Sequence, residues 1–207
     1  MKSRRERGPA VFLRRSGNDN AVLNWVSSDE KEYVRYRLMG EAYLNAAKVL
    51  VSKWSGSTAV TDFDAYPIIF LYRHALELLI KSLVLAGRTR LGIRDGGIDR
   101  ALGDHSLTKL WPTVEFIFER MGWAKNTSDQ ESLHEYRRMA RQLNSLDPQS
   151  MSFRYPGKKC GGNLLPRNFT FSVPDFGKRI NSLCDALLGA VIATGEVRLK
   201  ESSKTAR

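Results

Sequence analysis

The stretch FLYRHALELLIKSLV, Phe70 to Val84, is apolar enough for a protein core, yet it carries Arg73, His74, Glu77 and Lys81. At about 100° per residue, with Arg73 at zero, Glu77 falls at roughly 40°, Lys81 at roughly 80° and His74 at roughly 100°. All four share one sector of an otherwise apolar helix. Arg73–Glu77 and Glu77–Lys81 are i,i+4 pairs, and Glu before Lys is the favourable order. Exposed, each pair contributes about 0.2–0.5 kcal/mol. Buried, the seam must be satisfied throughout, because removing one partner costs about 3–5 kcal/mol. Two uses are open: a self-satisfied structural seam, or a pocket in which Arg73, Lys81, Arg154 and His105 line a phosphate site.

The second chemically unusual stretch is SFRYP. Pro156 biases Tyr155 away from helix, and extended alternation would put Arg154 opposite the rings of Phe153 and Tyr155. Either the rings anchor a loop and Arg154 pairs with a carboxylate such as Glu77, or Arg154 and Tyr155 meet a phosphate and a base, the ring stacking. In GKKCGGN, two lysines before Cys160 favour its thiolate. The sequence places no partner histidine beside it, so it reads as an ordinary loop thiol. Cys160 and Cys184 have no metal-ligand spacing, no metal or cofactor site is assigned, and two cysteines suit a reducing compartment. No Gly-rich phosphate loop, nucleophile elbow or paired-carboxylate site stands out.

Helices must position these groups. The first is predicted from about Asp29 to Trp54, opened by a capping box at Ser27 and Glu30, with Tyr33, Tyr36, Tyr43, Ala47 and Leu50 at helical spacing. The second runs from about Pro67 to Ala86 and stops at Gly87. A glycine-rich, charged loop follows, with a short turn near Ile98–Leu102. A third helix starts near His105–Ser106 and reaches Met121, with Pro112 in its first turns or kinking it. SDQE at 128–131 opens a fourth, to about Leu146. Residues 147–174 form an irregular excursion in which NFTFSV alternates as a short strand or hairpin would. The last helix begins at Asp175. The resulting expectation is an all-α bundle with a small extended or hairpin insertion before its last helix.

The 207 residues suit one domain with extensions: a basic segment 1–26, a bundle over 27–199 and a tail at 200–207. The net charge of +11 suggests nucleic acid. Much of it sits at the ends: residues 1–16 hold six Lys/Arg and one Glu, residues 196–207 hold four and two, leaving +4 for the rest. Such ends bind phosphate without specificity or simply solubilise the chain. No apolar run reaches the roughly 18 residues of a membrane span, and the N-terminus lacks a signal-type apolar region. A soluble, cytoplasmic protein without membrane association is expected.

RHALELLIKSLVLAG, a loop, then DHSLTKLW resembles the core of the HEPN family. The matching positions are Ala75, Glu77, Lys81 and Val84, then His105, Ser106, Leu107 and Leu110. The resemblance covers residues 66–120 closely. It implies a four- to five-helix bundle, often a homodimer, associated with RNA or nucleotides in bacterial defence or toxin–antitoxin systems. Some family members are metal-independent endoribonucleases; others are non-catalytic partners of nucleotidyltransferases. An antitoxin or nucleotidyltransferase partner follows from the resemblance alone. The family's ribonuclease signature is Arg, four to six residues, then His. Only Arg100 and His105 fit it, at the start of the third helix rather than late in the bundle. In that reading His105 is the general base or acid for a 2′-hydroxyl, since imidazole titrates near about 6.5, and Arg100 holds the phosphate. The other reading makes His105 a helix-end residue and the whole a dimeric scaffold or interaction module.

Overall fold

A computed structural model describes residues 21, 31–56, 61–155, 165–166 and 168–202. The chain divides into Met1–Glu30 and a compact unit, Lys31–Arg207. The basic segment 1–26, the Ser27–Glu30 capping box and Cys160 lie outside the described residues.

Six α-helices are present among the described residues: α1 Glu32–Gly56, α2 Ala65–Leu91, α3 Gly96–Leu102, α4 Trp111–Met121, α5 Thr127–Leu146 and α6 Val173–Ser202. No strand occurs among them, so the architecture is an all-α bundle. The helix α2 is its axis. It packs on α1, α4 and α6 and is buried on nearly every side from Ala75 to Val84. Its leucines and isoleucines carry the core with Leu44 and Ala47 of α1, Val114 and Ile117 of α4, and Leu183 and Leu187 of α6. Burial of one such side chain contributes about 1.5–3 kcal/mol. On the outside, α5 is tied to α4 by Arg137–Glu115 at 3.1 Å and to α6 by Arg179–Glu135 at 2.9 Å. Ser82 donates to the Tyr33 carbonyl at 2.7 Å, joining α2 to the start of α1.

Helix ends depart from the sequence pattern in instructive ways. Gly87 does not stop α2. The helix continues to Leu91 and ends at Gly92, which takes the left-handed φ of 65° that favours glycine at this position. Gly87 instead lets α4 approach: a Cβ there would lie 2.3 Å from Cδ1 of Ile117, a fully buried side chain. Gly87→Ala therefore sets a helix-propensity gain of up to about 1 kcal/mol against an overpacking cost of about 1–3 kcal/mol. Denaturant titration should show net destabilisation, with part of the loss recovered in Gly87→Ala/Ile117→Val. A more stable Gly87→Ala protein would contradict this packing account.

The third predicted helix begins later, at Trp111, with Pro112 in its first turn; residues 107–110 are turns. The cap of α5 is Asn126, whose side chain accepts from Asp129 N, not Ser128. The alternating stretch NFTFSV forms no strand among the described residues: Asn168 takes φ 54°, residues 169–172 are irregular, and Val173 already belongs to α6.

Candidate functional site

The seam on α2 is buried, and two loops close it. Arg73 is fully buried and spends its guanidinium on three backbone or side-chain partners. Its Nε donates to the Asp147 carbonyl at 3.0 Å, Nη2 to the His105 carbonyl at 2.7 Å, and Nη1 to Glu77 Oε2 at 3.1 Å. The Asp147 carboxylate adds an ionic contact, with Oδ2 3.3 Å from Arg73 Nε. One planar cation thus fastens the loop after α3 and the loop after α5 to the central helix. This use of several donors in a fixed fork is particular to arginine.

Glu77 is the next layer outward. Its Oε1 accepts from Lys81 Nζ at 2.9 Å and lies 3.0 Å from Nδ1 of His105. Burial pushes the Glu77 carboxyl upward, but the hydrogen bond and charge of Lys81, then those of His105, outweigh it and hold it below its ordinary value. The carboxylate is therefore ionised at neutral pH. Glu77 is 4 % exposed whereas the His105 side chain is 58 % exposed. With Nδ1 engaged by a buried carboxylate, Nε2 is the ring nitrogen left without a partner among the described residues. A carboxylate on one ring nitrogen selects the tautomer whose other nitrogen can take a proton. The loop is fixed as well: Asn144 Oδ1 accepts from Leu107 N at 2.9 Å, Asp104 Oδ1 accepts from Ser106 N at 2.8 Å, and Leu107 is buried.

Arg154 does not reach Glu77. Residues 152–154 form a turn, with Arg154 N and Tyr155 N both donating to the Met151 carbonyl, so the expected alternation fails. Phe153 is buried and anchors the turn, while Tyr155 is half exposed. Arg154 lies over the rings of Phe70 at 5.7 Å and Tyr155 at 5.9 Å. His74, at the seam's edge, joins this aromatic group: it stacks on Phe70 at 5.9 Å and meets Tyr43 edge-on at 4.4 Å. Burial, countered by Glu77 and reinforced by Arg73, Lys81 and Arg154, lowers its pKa. Arg100 stands apart, exposed on α3, in a depression with Asp95, Asp104 and Lys109. It makes no hydrogen bond or ion pair among the described residues, and nothing joins it to His105.

A lowered pKa makes protonation of His74 favour the unfolded chain. Its contribution to stability is present above the ordinary value of 6.5 and is lost as pH falls through the lower folded value. The corresponding loss for Glu77 begins only below 4.5. His74→Phe, which keeps a ring between Tyr43 and Phe70, should flatten the fall in stability just below pH 6.5 while leaving the steeper fall at lower pH. Urea midpoints across that range check this; equal slopes in both proteins would contradict it.

The sequence pattern pointed to Arg73, Glu77, Lys81 and His105, and the structure brings these four together. It missed Asp147, whose only local signal is the turn-forming Asp-Pro pair, and Asn144, which looks like any polar residue on α5. A separate apolar cavity of about 560 Å³ lies among Leu143, Phe153, Phe171, Phe176 and Ile180. Cys184 is buried with its thiol pushed up to about 12 by burial, so it is no nucleophile. Among the described residues no helix is long and apolar enough to cross a membrane. Comparison with protein-family models, with curated proteins and with solved structures finds no match.

Proposed function

We propose that this chain is a HEPN-like protein associated with RNA or nucleotides, with the outer edge of the α2 seam as its phosphate-facing site. The observation that carries the reading is the exposed His105 imidazole, held through Nδ1 by the buried Glu77 carboxylate and flanked by Lys81. That arrangement suits proton transfer. In the enzymatic form, a metal-independent endoribonuclease, His105 Nε2 takes the proton of a ribose 2′-hydroxyl. The freed oxygen attacks the adjoining phosphorus, the bond to O5′ breaks, and O5′ takes a proton from water. Lys81 offsets charge on the phosphate, whereas Arg100, the arginine of the family signature, stands apart on α3. A bacterial defence or toxin–antitoxin setting, a homodimer, and an antitoxin or nucleotidyltransferase partner rest on the resemblance and belong to the same proposal.

A second reading has its own observation. Arg73 is fully buried and saturated by partners within the chain, which suits a non-catalytic scaffold whose seam serves folding alone. Incubation of the purified protein with mixed RNA in EDTA separates the two. Cleavage lost in His105→Ala supports the nuclease. Intact RNA, together with failure of Glu77→Gln to fold, supports the scaffold.

A further inference from the structure

The turn after α5 carries an exposed ring, Tyr155, beside an exposed cation, Arg154. Tyr155 is 50 % exposed, and its hydroxyl has no hydrogen-bond partner among the described residues. Arg154 lies over the Phe70 and Tyr155 rings; its Nε donates to the Ser150 carbonyl at 2.5 Å, and Nη2 contacts Met151 Sδ at 3.2 Å. Nη1 has no partner among the described residues. The turn itself is rigidly held. Asp147 Oδ1 accepts from Met151 N at 2.6 Å and Ser152 N at 2.8 Å, and Ser150 takes a left-handed φ of 58°. An aromatic residue serving only as an anchor packs inward, as Phe153 does. Tyr155 instead leaves half of its surface in solvent, with Arg154 over its ring.

We propose that Tyr155 and Arg154 bind an unpaired nucleobase and its adjoining phosphate, the base on the exposed ring and the phosphate at Arg154 Nη1. This rests on the RNA or nucleotide reading and names the substrate class as single-stranded. Stacking on a pre-positioned aromatic ring is how unpaired bases are held, and arginine beside the ring supplies the phosphate contact. The position agrees with His105 as the reacting end. Arg154 covers Phe70 on α2, and Glu77, which holds His105, lies seven residues further along that helix. Along α2, Phe70 and Glu77 lie about 10 Å apart and nearly on the same face.

The test is binding of a short labelled single-stranded RNA to the full chain at fixed salt, followed by fluorescence anisotropy. Tyr155→Ala should weaken binding about tenfold; Tyr155→Phe, which keeps the ring, should bind like the parent. Affinity for the same strand annealed to its complement should not respond to either change. Competition by free AMP assigns the site to nucleotides as well as strands; its absence assigns it to strands. Parent-like binding by Tyr155→Ala, or equal losses in both variants, overturns the proposal while leaving RNA association intact. No binding by the parent protein overturns both.

Discussion

Arg73→Ala is expected to destabilise the protein by about 3–5 kcal/mol, the range for breaking a buried charge cluster. The loss has three sources. Glu77 and Asp147, 4 % and 1 % exposed, each lose a buried ionic partner. The carbonyls of His105 and Asp147 lose their donors, and an unsatisfied buried acceptor costs about 1–3 kcal/mol. The remaining space is a cavity in the centre of α2. Arg73→Lys should recover only a minor part, because one ammonium cannot reach three partners in the directions of a planar fork. Denaturant titration checks both variants. An Arg73→Ala protein within about 1 kcal/mol of the parent would contradict the clasp, since such a loss is ordinary for an exposed pair.

If the chain is the proposed ribonuclease, His105→Ala is expected to lower RNA cleavage about 10²–10⁴-fold, the usual worth of a positioned acid–base group, while moving stability little. The second half of that expectation follows from exposure: the His105 side chain is more than half in solvent, and its backbone carbonyl, the atom that Arg73 holds, survives the substitution. Glu77→Gln should behave differently. It removes the ionised acceptor on which Lys81, Arg73 and His105 converge, so stability and cleavage fall together. The contrast between these two variants separates a group that acts at the surface from one that holds the group in place.

The seam itself was legible because helical periodicity needs only the local sequence, and at 3.6 residues per turn Arg73, Glu77 and Lys81 must share a face. What covers the seam was not legible. Asp147 lies 74 residues from Arg73 and His105 lies 28 from Glu77, and no local pattern encodes such pairings. The expectation that Arg154 meets Glu77 failed for a related reason. It rested on alternation through SFRYP, but capping of Met151 and Ser152 by Asp147 bends that stretch into a turn. Gly87 shows a different ambiguity: glycine suits both a helix stop and a close helix crossing, and only the neighbouring Ile117 decides between them. Asn126 and Ser128 are both good caps, and the sequence alone does not rank them.

The most direct test of the central claim is end-group analysis of RNA fragments released in EDTA by the parent protein and by His105→Ala. The account predicts fragments ending in 2′,3′-cyclic phosphate from the parent and none above background from His105→Ala. Intact RNA with the parent, or the same fragments at the same rate from His105→Ala, would contradict it.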